Sequence, residues 1–526
     1  MTSPIEIEVT NKLLASVAEE MGIVLRKAAF SANIKERRDF SCAVFDSRAN
    51  LLAQAAHIPV HLGAMPATVK AITDLFSLRP GDIVISNDPF LGGTHLPDIT
   101  LMSGVFDRAG GSPLFYLVTR AHHADVGGIH PGSMSLSISL DEEGVLIPPA
   151  LLVENGHLDR HFLKKFLTKV RHPDERKGDL RAQIAALDRG KKRLLEILDR
   201  EGTSDLLERF DPLLDYGERV MQSAISRIPD GEYPFEDFLD DDGIHDQPVP
   251  IRVKVSISGS SATADFSSSS GQVKTGLNTV RSVACSAAYY VFFCLVGEGY
   301  PINEGSLRPL HVKTRKGTIL DARPPAPVAA GNVETSQRIV DCLLGALAQA
   351  APELIPAASC GSMNNIAIGG RLPDGGDYAY YETIGGGMGA RPGAPGLSGI
   401  HTHMTNTLNT PIEALEQAYP FMVERYSMRH GSGGRGKFSG GDGIIRGFLF
   451  SEPAIVTLLT ERRKTAPYGL AGGRPGKSGK NILIRRDSSI IEHVSGKTHL
   501  RVKRGDLLEI HTPGGGGWGD PTENKD

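Results

Sequence analysis

Two short units carry the side chains best suited to chemistry. His95-Leu96-Pro97-Asp98 and His122-His123-Ala124-Asp125 each set an imidazole three residues before a carboxylate. Imidazole nitrogen and carboxylate oxygen are both free to bind a hard or borderline divalent cation near neutral pH, without the thiolate ionisation that cysteine sites need. Together they point to a metal centre suited to zinc, manganese or iron. Asp39, directly after Arg37-Arg38, is a third carboxylate that could approach the same point. His57 and His61, in His57-Ile58-Pro59-Val60-His61, are weaker candidates for orienting a ligand or moving a proton. A lone histidine is usually a hydrogen-bonded structural residue; two like units so close together argue against that reading here.

Something must bring these side chains to one point. Apolar spacing at Leu13, Leu14, Val17, Met21, Val24 and Leu25 predicts an amphipathic helix over 5–30, and a second helix fits 65–76. Alternating or short apolar runs predict strands over 39–46, 82–86, 99–106 and 114–120. Residues i and i+3 of a strand face opposite ways, whereas a turn can make them converge. Pro97, Gly92-Gly93 and Gly127-Gly128 therefore place both units on loops beside these strands.

Farther along, 179–228 reads as one long charged helix, and the acidic stretch 236–242 as a solvated surface turn. It lacks the alternate-position spacing and closing glutamate of a calcium loop. A strand pair with its turn at Gly259 fits 251–266, and buried helices fit 279–296 and 336–351. Beyond residue 355 the chain is glycine-rich and strand-like, with strands expected at 366–369, 378–384, 444–450, 455–459, 482–485 and 507–510. The fold class is mixed α/β (α+β): a large multi-part fold with an N-terminal metal-binding part and β-rich C-terminal parts. Its expected divisions are 1–178, 179–245, 246–354 and 355–526.

Composition excludes several functions. Lysine and arginine number 57 against 61 aspartates and glutamates, interspersed rather than blocked, so no nucleic-acid footprint is expected. Apolar runs are too short to span a membrane, no signal sequence precedes them, and a cytoplasmic protein is expected. Five scattered cysteines without a Cys-x-x-Cys read as buried free thiols. The tract Gly431-Ser432-Gly433-Gly434-Arg435-Gly436-Lys437-Phe438 misses a phosphate-binding loop at its last position, where the hydroxyl that binds Mg²⁺ is replaced by phenylalanine. It reads as a tight backbone turn. The tail Pro513-Gly514-Gly515-Gly516-Gly517-Trp518-Gly519-Asp520-Pro521 reads as a packed terminal loop.

Longer stretches carry a family resemblance. Asn87–Asp98, Arg120–Gly128, Asn406–Pro411 and the tail from Thr512 to Pro521 resemble the hydantoinase B/oxoprolinase family over essentially the whole chain. That family includes the B-type subunits of ATP-dependent cyclic amidohydrolases (N-methylhydantoinase, 5-oxoprolinase, caprolactamase) and related subunits of acetone and acetophenone carboxylases. The resemblance implies a hydantoinase A-type partner that binds ATP and Mg²⁺ and phosphorylates a lactam or imide oxygen. This chain would then complete ring opening, in a hetero-oligomer such as α2β2. It implies Asp39, His95, Asp98 and His122 as metal ligands, with His123 and Asp125 around them, Asp125 orienting a ligand imidazole. A ketone carboxylase subunit and a non-catalytic stabilising subunit are the alternatives.

Overall fold

The computed structural model describes residues 3–55, 57–107, 110–373, 375–488 and 490–523. The first helix, Pro4–Ala28, starts at a capping box in which Ser3 accepts the Glu6 amide and the Glu6 carboxylate accepts the Ser3 amide. Leu14, Val17, Ala18, Met21 and Leu25 form its buried stripe.

That stripe faces a seven-stranded antiparallel sheet, whose strands in chain order are β1 (Phe40–Asp46), β2 (Leu51–Gln54), β3 (Ile83–Ser86), β4 (Asp98–Val105), β5 (Phe115–His122), β6 (Ala150–Glu154) and β7 (His157–Leu158). Their spatial order is β2-β1-β5-β4-β3-β6-β7. The helices Pro4–Ala28 and Pro173–Glu201 pack together and against its central strands. Ala64–Leu75 supplies Met65, Val69 and Ile72 to a separate apolar cluster with Ala43, Phe45, Val84, Met102 and Val118. Cover on both faces explains why every residue of β1 and β5 is buried and why their sequences are apolar with little alternation.

Two expected boundaries fall inside continuous structure. The helix expected over 179–228 is two, Pro173–Glu201 and Phe210–Ile225, separated at Gly202 by a left-handed backbone (φ 82°) and a short turn of helix. The division at 178/179 therefore cuts a helix. The next, at 245/246, separates β8 (Gly231–Leu239) from β9 (Val249–Ser258), which pair along their length. With β10 (Ser261–Asp265) and β11 (Leu310–Lys313) they form a sheet ordered β11-β10-β9-β8, against which Ser336–Leu347 packs. One apolar core runs from Leu14 to Leu459, taking in Ile355, Met363, Ala367, Tyr381 and Met404, so it joins all four expected parts.

The acidic stretch is also corrected. Asp237, Asp240, Asp241 and Asp242 are buried, not solvated. Asp237 meets Arg338 and Arg462, Asp241 meets Lys464 and Lys497, and Asp240 accepts the backbone amides of Arg463, Lys464 and Thr465. Among the cysteines, Cys294 is exposed rather than buried.

The C-terminal part holds β12 (Asn365–Arg371), β13 (Asp377–Glu382), β14 (Phe421–Arg429), β15 (Gly443–Phe450), β16 (Ala454–Leu459), β17 (Lys480–Ile484), β18 (Ile491–Val494), β19 (Lys497–Val502) and β20 (Leu507–His511). They form two sheets, β13-β12-β16-β19 and β14-β15-β20-β17-β18, around a second apolar core. The sequence pattern missed β14, β18 and β19; β14 and β18 turn apolar side chains such as Met422, Tyr426, Met428 and Ile491 outward, which blurs the alternation. The glycine tail is buried and hydrogen-bonded: Gly515 donates to Gly441, Gly516 to Ala358 and Trp518 to Phe438. The amides of Gly433 and Gly434 are taken by Asp442 and Gly515, so the near-miss tract is packed backbone and not a phosphate cradle.

Candidate metal centre

The site sits where three adjacent strands meet at their ends. Asp98 opens β4, His122 closes β5, and the two are direct cross-strand partners. Phe40 of β1 pairs with Ala121, which puts Asp39 beside His122, and the His122 amide donates to the Asp39 carbonyl at 3.0 Å. Asp39, His122 and Asp98 thus form a row across the sheet. His95 returns to that row through a turn in which the Asp98 amide donates to the His95 carbonyl. The loop before it is pinned at Gly92, whose φ is 87° and where a Cβ would stand 2.4 Å from the Ala67 backbone. Only glycine fits both constraints.

Both units were expected on loops; strand ends hold Asp98 and His122 instead, and convergence comes from cross-strand adjacency as much as from the turn. His95 Nε2, His122 Nδ1 and Asp98 Oδ1 form a triangle with sides of 3.2, 3.3 and 3.3 Å. The centre of such a triangle lies about 1.9 Å from each corner, close to the metal–nitrogen and metal–oxygen lengths of about 2.0–2.2 Å. All three residues are buried, and Asp98 Oδ1 has no hydrogen-bond partner. Beside them is a cavity of about 20 Å³, room for one water-sized occupant. Asp39 lines that cavity with its Oδ2 4.0 Å from His122 Nδ1, outside the tight triangle.

The surroundings fix the donors' orientation. His95 Nδ1 faces the Ala329 carbonyl at 3.3 Å, a contact that takes its proton and leaves the Nε2 lone pair for the triangle. Asp98 Oδ2 is held by Thr94 and by His61 Nε2 at 3.3 Å, while His61 Nδ1 meets Ser41 Oγ at 2.8 Å. The His122 ring stacks on Tyr381 at 5.1 Å. Asn332, in the π-turn Gly331–Thr335, puts its amide nitrogen 3.1 Å from His95 Nε2 and leaves its own oxygen without a partner. Such turns recur at functional sites.

Charge at the site is unbalanced. Burial favours the neutral form of Asp98, but His95 and His61 outweigh it and hold the carboxyl well below its ordinary range. Burial also opposes a proton on His95, yet Asp98 raises its pKa: a proton takes up the role a cation would have. The donor set, its spacing and its orphaned oxygen fit a divalent ion.

Two expected residues lie elsewhere. The His123 ring points away from the triangle, its Nε2 donating to Gln183 of the Pro173–Glu201 helix at 3.0 Å. Following His122 at the strand end, it takes the opposite face. Asp125 does not orient an imidazole. Its oxygens accept the Gly127 and Gly132 amides at 2.8 Å and pair with Arg171 at 3.0 Å, clamping the following loop. His57 lies against Phe40, with Nδ1 accepting the Cys42 amide. His61, a weaker candidate than the four main residues, touches Asp98 directly. Thr94, Asn332 and Tyr381 were missed: Thr94 could have been suspected beside His95, whereas Asn332 and Tyr381 come from distant segments with no marking pattern.

With this geometry in hand, similarity to known proteins becomes informative. Residues 3–521 match the profile of hydantoinase B/oxoprolinase proteins. The 5-oxoprolinase 1 of Arabidopsis thaliana is 38% identical over 98% of this chain, which spans only 42% of that protein's length. The ATP-dependent caprolactamase from Pseudomonas jessenii superposes with a TM-score of 0.92 at 28% identity, over 99% of this chain and 92% of that one. An acetone carboxylase in its nucleotide-free structure shares the fold, with a TM-score of 0.91 at 18% identity over 99% and 76% of the two chains.

Proposed function

Since this chain belongs to the hydantoinase B/oxoprolinase family, we propose that it is the metal-binding subunit of an ATP-dependent cyclic amidohydrolase. It opens a hydantoin, 5-oxoproline or other lactam ring after a hydantoinase A-type partner, holding ATP and Mg²⁺, has phosphorylated the ring oxygen. The observation that carries the metal part is the buried triangle of His95 Nε2, His122 Nδ1 and Asp98 Oδ1, with sides of 3.2–3.3 Å and an orphaned carboxylate oxygen. The lactam part is supported by likeness to 5-oxoprolinase 1 and the caprolactamase. A partner for ATP fits the greater length of 5-oxoprolinase 1 and the occupied amides of the near-miss glycine tract.

In this reading His95, Asp98 and His122 would hold the ion, and Asp39, which lines the same cavity, would complete the set. A divalent cation bound there supplies Lewis acidity, acidifying water and stabilising negative charge on a carbonyl oxygen. His61 and Thr94 keep Asp98 aimed, and the Ala329 carbonyl keeps His95 in the ligating tautomer. The buried walls limit access of bulk water to the reacting carbon. An unstrained amide is a poor electrophile, and O-phosphorylation gives it a leaving group.

The test combines this chain with its A-type partner and screens lactams, imides and ketones, with and without ATP and bicarbonate. ATP-dependent ring opening that needs no bicarbonate is expected. Bicarbonate-dependent ketone carboxylation would replace this reading with the carboxylase one, and a partner active without this chain would leave only a stabilising role.

A further inference from the structure

Beside the triangle lies a cationic vestibule that the metal reading does not use. A cavity of about 320 Å³ is bounded by Glu19, Gly22 and Arg26 of the first helix, by Arg38 and Phe40 around the start of β1, and by His57 and Asn406. An adjoining recess of about 430 Å³ shares Arg26 and Arg38 and adds Lys27, Lys35 and Glu36. Four cations therefore face two carboxylates across the joined space.

The vestibule and the metal cavity share a thin wall. Arg38 and Asp39, His57 and Ile58, and Asn406 and Thr405 are consecutive pairs, and in each the first member lines the vestibule and the second the metal cavity. The Asp39 side chain keeps 12% exposure, against 0–3% for those of His95, Asp98 and His122, so solvent reaches the site from Asp39's side. Arg38 itself has a left-handed backbone, φ 59°, a costly conformation for a residue with a side chain and one concentrated near functional sites. His57 is built into the wall. Its Nδ1 accepts the Cys42 amide at 3.2 Å, which leaves the ring proton on Nε2, and Asn406 ties down its carbonyl at 3.1 Å. A Cβ at residue 22 would stand 2.7 Å from that Nε2, so glycine there keeps the ring edge clear.

We propose that Arg26 and Arg38 form a receiving site for a phosphoryl group, capturing an O-phosphorylated substrate before it passes Asp39 to the metal triangle. Guanidinium groups match phosphate oxygens in pairs, and a cleft with excess positive charge concentrates anions at its mouth. The identity of the phosphorylated molecule rests on the function proposed above; the existence of the anion site does not. Because these arginines act on capture, their loss raises KM and leaves kcat nearly unchanged.

The probe is inorganic phosphate, titrated calorimetrically into the full chain with and without bound zinc or manganese. Wild type is expected to bind phosphate saturably, and Arg26→Gln/Arg38→Gln to bind it at least tenfold more weakly at equal metal content. The Arg26→Lys/Arg38→Lys protein, which keeps charge but not paired geometry, falls between. Lys70→Gln/Lys316→Gln, in a separate cavity of about 960 Å³, keeps wild-type affinity, and acetate does not compete. Equal phosphate affinity in the double glutamine variant, an equal loss in the lysine control, acetate binding as strong as phosphate, or phosphate binding that depends on the metal but not on the arginines would overturn the proposal. A wild-type chain that binds no metal yet shows arginine-dependent phosphate affinity would count against the metal reading and leave the vestibule standing.

Discussion

At the seam between the middle sheet and the C-terminal sheets, buried carboxylates meet buried cations; at the ends of β1, β4 and β5 they do not. Asp237 and Asp341 both contact Arg462 and Arg338, and Glu461 and Asp241 contact Lys497. Burial pushes Asp237 toward its neutral form, and the two arginines overcome it and hold the carboxyl below its ordinary range. At the triangle the ion-pair partners of Asp98 and Asp39 are imidazoles, the buried Arg120 acts on Asp98 only from beyond ion-pair distance, and His95 gains affinity for a proton. A buried cluster that brings its own counter-charges holds a fold together, whereas one that lacks them is organised around something it must bind.

The contrast can be broken in graded ways. Asp98→Ala removes a corner of the triangle, and we expect metal affinity to fall by well over 100-fold, with ATP-coupled ring opening, while thermal stability of the metal-free chain changes little. Elemental analysis and denaturation of the same preparation check both. Arg462→Met should do the opposite: it leaves two buried carboxylates, Asp237 and Asp341, to share Arg338 alone, at a cost of about 3–5 kcal/mol in a denaturant titration, while the folded fraction keeps its metal.

A smaller effect separates the two neighbouring histidines. Burial beside Gln183 pushes His123 down to about 4 from an ordinary 6.5. Below pH 6.5 the unfolded chain takes up a proton that the folded chain refuses, so stability falls as pH drops from 6.5 to 4 and then levels. The loss for this one group is about 3 kcal/mol. His123→Gln should flatten that part of the stability-against-pH curve without changing metal content at pH 7; an unchanged curve would show that His123 does not titrate as its burial requires.

The same contrast explains what the sequence made legible. The metal triangle is local in sequence: His95 and Asp98 lie three residues apart, and His122 pairs with Asp98 through two strands whose apolar runs are plain to read. The acidic run was misread because its counter-ions, Arg338, Arg462, Lys464 and Lys497, lie about 100 to 260 residues away and only the fold brings them in. His123 and Asp125, which the family resemblance sets around the ligands, face other partners. The strand ending at His122 turns the next ring to the other face, and the loop beyond needs Asp125 as a clamp. The two-sheet C-terminal part was legible as β-rich, but β14 was hidden because Met422, Tyr426 and Met428 face outward among charged residues and break the apolar-in, polar-out alternation.

The central claim is that the triangle of His95, Asp98 and His122 is completed by one divalent cation. The most direct measurement is the metal content of purified wild-type protein and of His95→Ala, paired with the shift in melting temperature when zinc or manganese is added to stripped samples. The account predicts close to one ion per wild-type chain, little in the variant, and metal-dependent stabilisation only in wild type. Wild-type protein that neither retains an ion nor is stabilised by adding one, or equal metal in the variant, would contradict it.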